Sequence, residues 1–408
     1  MDAIQEYGRT GYLLDKISVT RCRDLSAPTM GVDLIGTVRI LKHIPKYRFL
    51  LINIKGNESD FGSQISTYKG LRSGMNMLHT IFRMLFVLLA GSSFSFAEPK
   101  PEIIAQASDG LNNPFGITFD SKQNTYIVEY LGGRIFRIGK DGELKYFSGK
   151  PEEGFAGDGG PARDAVFNGM HNAVCTVDDQ LYISDTRGNR IRKIDLRSGI
   201  ITTFAGTGKA GFSGDGGPSS SAQLSDPISI SLSKNADLLL ISDIKNRRIR
   251  AINLGSRKIY TIAGTGKKAV PKDGILATKA PLFDPRGCDM DSKGNLYILE
   301  RGGHALRVVD GDGKIKTVAG TGKPHSADGP GLKAGLRGPK HLCIDDQDRV
   351  IIADAENHLI RLYDPKDGSV STILGRQTKL NRPHGVTVHD GWLYIADSWN
   401  DRVLRVRW

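Results

Sequence analysis

One pattern returns six times between residues 114 and 408 and limits the fold more than any other feature of the chain. A run headed by Pro or Met, with apolar alternation behind it, starts at residues 114, 170, 227, 285, 339 and 383, spaced by 56, 57, 58, 54 and 44 residues. A turn such as DSKQN, DSKGN or HDG follows, then a β-branched or aromatic run ending in an acid: Glu129, Asp185, Asp243, Glu300, Asp354 and Asp397. Runs this short, alternating and bounded by turns, read as hairpin strands rather than helices. Three residues past each acid stands Gly or Asn (Gly132, Gly188, Asn246, Gly303, Asn357, Asn400), the types that tolerate positive φ in a tight turn. Six past it, Ile135, Ile191, Ile249, Leu306, Ile360 and Val403 open a third strand.

A fourth run ending in Gly completes five of the units, but the chain stops at Trp408, directly after the sixth third strand. The run at 101–110, PEIIAQASDG, has the length and pattern of the missing strand. The expected fold is therefore all-β: a six-bladed β-propeller of four-stranded antiparallel blades, closed by pairing an N-terminal strand with the C-terminal blade. Glycine supports this, at 49 of 408 residues against an average of about 7%. So many turn formers exclude long helical bundles.

The residues carry a family resemblance at this point. The blocks LYISDTRGNRIRKID, LYIADSWNDRVLRV and LNRPHGVTV resemble NHL repeats, and the connectors GFAGDGGPARDAVF and AGTGKAGFSGDGGPSSSAQL are similar to the Gly-rich linkers of bacterial, exported NHL propellers. The resemblance spans nearly all of 101–408. It implies the fold but no reaction, because propellers host binding platforms and enzymes alike.

Ahead of the repeats, residues 75–97 read as a signal peptide: Arg83, an apolar run from Met84 to Ala90, then small residues ending in Ser95-Phe96-Ala97. The expectation is a secreted or periplasmic protein cleaved after Ala97. The competing expectation is a membrane anchor through 77–97, although the uncharged stretch is short of the roughly 20 residues a spanning helix needs. Residues 1–74 show no sustained periodicity and read as a non-native extension or a mis-assigned start, leaving 98–408 as the propeller domain. Of the formal charge of +12, residues 98–408 hold 44 Lys and Arg against 37 Asp and Glu, a surplus of +7. Cys175, Cys288 and Cys343 lie inside apolar runs without CxxC spacing, so buried free thiols are expected.

In a propeller the innermost strands begin around one end of the central channel, so the residues just after each repeat start converge there. In blade order these are Phe115, His171, Ile228, Arg286, Lys340 and His384, with His341 next in blade five. Together His171, Arg286, Lys340, His341 and His384 form a candidate anion-binding rim, because a concave mouth lined by one sign of charge focuses potential. The expected function is a non-catalytic binding platform for a protein or an anionic, saccharide-like ligand, with no cofactor. The competing class is an enzyme using Zn or Ca at the same rim. Peptidyl-hydroxyglycine lyases of this propeller class bear channel histidines, which makes His171 and His384 candidate metal ligands, but Arg286 stands where a third histidine belongs and does not bind metals. Calcium-dependent lactonases or esterases of the gluconolactonase or paraoxonase type would draw on Asn172 with Glu129, Asp185 or Asp243, yet those acids recur in all six units, as structural residues do. The Arg-rich third strands are expected to point Arg outward on the blade flank, and no nucleic-acid partner is expected.

Overall fold

The structure is a computed structural model that describes residues 99–408 in full. Ahead of them it describes only the backbone of two short antiparallel strands, Gly36–Arg39 and Leu51–Ile54. The leader expected at 75–97 lies outside the described residues, as does the rest of the N-terminal extension. Among the described residues no helix is long and apolar enough to cross a membrane.

Blade one consists of Pro114–Phe119, Thr125–Glu129, Ile135–Ile138 and Leu144–Ser148, paired in chain order from the channel outwards. The same antiparallel meander recurs from Met170–Cys175, Pro227–Leu232, Pro285–Met290 and His341–Ile344 as innermost strands of blades two to five. Blade six runs through Gly385–His389, Trp392–Asp397 and Arg402–Arg407, and its outermost strand is Glu102–Gln106. The two ends of the described chain thus share one blade. Blades four and five depart from four strands: the two-residue strands Ile275–Leu276 and Gly329–Pro330 add a fifth at the outer edge. There the incoming connector runs alongside the outermost strand and covers backbone groups that would otherwise stay unpaired.

Alternation along each strand gives every blade two buried faces, and six apolar clusters fill the six gaps between neighbours. The last of them joins blade six to blade one, with Ala105 of the N-terminal strand packed among Ile117, Ile127, Tyr394 and Val403.

Each acid at the end of a second strand is buried, and its carboxylate accepts the backbone N–H two residues ahead of its own repeat start. The pairs are Asn112 to Glu129 at 2.5 Å, Asn168 to Asp185 at 2.6 Å, Ser225 to Asp243 at 2.7 Å, Phe283 to Glu300 at 2.6 Å, Arg337 to Asp354 at 2.7 Å and Asn381 to Asp397 at 2.7 Å. The connector entering each innermost strand is therefore pinned three residues before the channel-mouth position. The Arg-rich third strands correct the outward expectation. Arg192, Arg250 and Arg361 are wholly buried, because each reaches the acid of its own blade as well as Asp158, Asp215 or Asp328 of the preceding connector.

Candidate functional site

In the first four blades the ladder between the first two strands slips at the mouth, between Pro114 and Gly116, Met170 and Ala173, Pro227 and Ile230, and Pro285 and Gly287. Such bulges re-aim side chains away from the sheet. They help to turn Phe115, His171, Ile228 and Arg286 into one small cavity shared with Lys340, His341, His384, Asn172 and Ser229. All five residues expected at the rim are brought together. Arg286, Lys340 and His384 are less than a tenth exposed, so they line a throat rather than a solvent-washed rim. The space enclosed there is only about 10 Å3, room for roughly one water-sized group. It admits the tip of a ligand and not a whole small molecule.

Asn172, Ser229 and His341 form a second tier below the mouth, at the register level that Gly116, Gly287 and Gly385 occupy in the other three blades. The glycines let innermost strands approach: a Cβ on Gly385 would collide with the Phe115 carbonyl oxygen. Ser229 was missed from the sequence. Its signal was available, since it stands two past a repeat-start proline, one residue deeper than the positions that drew attention.

No acid lines the cavity. Arg286 has no ion pair and no hydrogen bond among the described residues, and its Nε is buried without a partner. The nearby Asp284 is held by Arg301 at 2.5 Å. Burial, reinforced by the Arg301 charge, lowers the Arg286 pKa to about 10. The Lys340 Nζ lies 3.2 Å from Glu356 Oε1, a carboxylate it shares with Arg382. Burial and the Arg286 charge bring Lys340 down to about 8. Burial drives the His171 and His384 pKa values well below the ordinary histidine value, and the Arg286 charge adds to it. Burial takes His341 to about 4.

The histidines are thus neutral, and their partners assign the tautomers. The Thr186 hydroxyl donates to the Pro227 carbonyl at 2.7 Å, so at 2.9 Å it accepts from His171 Nδ1–H. His384 Nδ1–H donates to the Arg382 carbonyl at 2.9 Å. Both rings flank Phe115, His384 stacked at 3.9 Å between centroids and His171 edge-on at 5.2 Å. His341 Nδ1 accepts from the Val386 N–H at 3.4 Å, which puts its proton on Nε2, 2.9 Å from the Asn172 amide.

This donor set does not fit a metal. His171 and His384 could ligate through Nε2, but no group of three or more His, Cys, Asp or Glu side chains able to hold a metal occurs among the described residues, and Arg286 and Lys340 would repel a cation there. The acids weighed for calcium are placed elsewhere: Glu129, Asp185 and Asp243 are committed to backbone N–H groups and arginines, and only Asn172 of that set lines the cavity. The three cysteines of the domain are free, Cys288 buried and Cys175 and Cys343 partly so.

No family profile matches the chain. NHL repeat-containing protein 2 of Bos taurus is 25% identical over 339 residues, covering 71% of this chain and 46% of that protein. Its Homo sapiens counterpart is 26% identical over 335 residues with the same coverage. The chain is a six-bladed β-propeller whose repeats are similar to those of NHL repeat-containing protein 2. It spans about half the length of these curated relatives. Among solved structures, this propeller is similar in fold to a streptogramin B lyase, with a TM-score of 0.52 and 14% identity over 77% of this chain and 99% of that one. It is likewise similar to an auxiliary nutrient binding protein from Bacteroides thetaiotaomicron, with a TM-score of 0.53 and 15% identity over 72% of this chain and 69% of that one.

Proposed function

We propose that this propeller is a non-catalytic binding platform that captures an anionic group of a protein or saccharide in the throat of its channel. The observation that carries the reading is Arg286, a buried guanidinium without a counter-ion at the wall of an open cavity. Taking an ion out of water costs several kcal/mol unless a partner compensates, and here the throat offers a second cation and no acid. The fold does not separate binding from catalysis, since a nutrient-binding protein and a lyase stand equally near it.

Isothermal titration of residues 98–408 with glucuronate tests the reading. Binding is expected, weakened at least tenfold in Arg286→Gln and reduced by salt. Equal affinity in wild type and Arg286→Gln would overturn it. The second reading is an enzyme that uses a throat histidine as base, which the neutral rings of His171 and His384 favour. It predicts turnover of a bound substrate that is lost with either ring. We also propose that the protein works outside the cytoplasm, on the signal-like segment at 75–97. Intact mass of the native product tests this, with a start at Glu98 expected and retention of the segment counting against it.

A further inference from the structure

The cavity wall carries more information than its charge. With Nδ1 of His171 and of His384 spent on Thr186 and on the Arg382 carbonyl, each neutral ring leaves a bare Nε2, and among the described residues neither Nε2 has a hydrogen-bond partner. Neither atom is among those buried without a partner, so both remain open to the throat. A bare imidazole nitrogen accepts hydrogen bonds and cannot donate them. An anion composed only of acceptor oxygens would satisfy Arg286 and Lys340 but would set lone pairs against these two rings.

The second tier supplies donors of the opposite kind. His341 carries its proton on Nε2, so the Asn172 amide must turn its oxygen to that N–H. The Asn172 NH2 then takes the buried position that has no partner. The Ser229 hydroxyl is also buried without one. The throat thus presents two cations, an amide NH2 and a hydroxyl on one side of the account, and two obligate acceptors on the other.

We infer that the ligand of this throat is an oxyanion carrying its own hydroxyl donors beside the charged group, of the hydroxycarboxylate class, with a sugar-acid end group as its larger form. The inference rests on the anion-binding reading and deepens it. The carboxylate lies against Arg286 and Lys340, and neighbouring hydroxyls donate to Nε2 of His171 and His384. A site built to hydrogen-bond a hydroxyl discriminates strongly against an analogue that lacks it, because its own polar groups are then left unpaired. The enclosed space has room for about one water-sized group, so only the carboxylate tip enters it while the rest of the ligand lies at the mouth, and a free sugar acid and the terminal residue of an acidic saccharide share the same recognition chemistry.

Lactate and propionate, which differ by one hydroxyl, are the decisive pair, titrated calorimetrically at pH 7.5 beside glucuronate, a glucuronate-terminated disaccharide, sulfate and phosphate. Lactate and glucuronate are expected to bind at least tenfold more tightly than propionate and sulfate. The advantage is expected to vanish in His171→Phe and His384→Phe while propionate binding persists. Nitrogen NMR of the imidazoles gives a readout that needs no variant: the two unprotonated Nε2 signals should move on adding lactate and stay in place on adding propionate. Equal glucuronate affinity, free or terminal, marks an end-group site, whereas glucuronate bound only when free restricts it to the monomeric acid. Propionate binding as well as lactate, with both lost in Arg286→Gln, would overturn the hydroxyl inference and leave the anion site standing. Preference for phosphate over every carboxylate would overturn the carboxylate assignment. No binding by any of these anions would remove both.

Discussion

Arg286 is held in a position that costs stability. A wholly apolar replacement removes the uncompensated charge, so Arg286→Leu is expected to raise the unfolding free energy by about 2 kcal/mol in denaturant titration while abolishing anion binding. Lower stability together with retained binding would mean that the guanidinium has partners of its own. The throat histidines give a second residue-scale test, with a definite sign. His341 has a folded pKa of about 4 against an ordinary 6.5. Its contribution is therefore fully present above pH 6.5 and is lost as pH falls from there towards 4. Asp185, Asp243, Asp289 and Asp354, raised by burial to about 6, act in the opposite sense, because they take up protons more readily when folded. The clean comparison is wild type against His341→Gln, in which the acids cancel. Wild type should lose on the order of 3 kcal/mol relative to the variant between pH 6.5 and 4. A constant difference would show that burial does not depress the pKa of this ring.

The repeated unit at the scale of elements is an acid that ties three pieces of chain together. Asp354 accepts the Arg337 N–H at 2.7 Å, the Asn357 amide at 2.7 Å and Arg361 at 3.1 Å, and so fixes the connector that delivers Lys340 and His341. Asp354→Ala strands a buried N–H and removes one of the two carboxylates at Arg361, at an expected cost of about 3 kcal/mol. It should also weaken anion binding from a distance. Undiminished binding in a folded Asp354→Ala protein would show that the connector holds its place without the acid. The glycine tier makes a second point. Gly385→Ala drives a methyl group into the Phe115 carbonyl, so blades six and one must part, and stacking of Phe115 on His384 is expected to be lost along with ligand affinity. The acids and their spacing were legible in the sequence because they repeat, but the Gly or Asn three residues later does not take the positive φ expected of it: that falls one residue on, at Gly133, Asn189, Arg247, His304, His358 and Asp401, while the glycines leave room for the carboxylate and the asparagines donate to it. The burial of Arg192, Arg250 and Arg361 was not legible, since period-two alternation says which face a residue takes and says nothing of an acid on the preceding connector that covers it.

The ring stands or falls as a whole. Six interfaces between six blades leave no terminal blade exposed, and the pairing of Glu102–Gln106 with Arg402–Arg407 makes the two ends of the described chain one element. Deleting residues 101–110 removes Ala105 and the partly buried Ile104 from the interface between blades six and one and uncovers an edge strand. The melting temperature is then expected to fall by roughly 5–10 °C, with aggregation from the open edge. Unchanged melting and solubility would mean that the ring does not depend on this strand. Repetition let the sequence by itself determine the fold class, the number of blades, the pairing of the ends and the set of residues that meet at one mouth of the channel, because a period is visible without coordinates. Only the tertiary structure decided that the mouth is a closed-in throat, that Arg286 has no partner there while Lys340 has Glu356, and which nitrogen of each histidine is bare. Those properties depend on contacts among side chains from all six blades, and no local spacing records which groups the ring leaves unsatisfied.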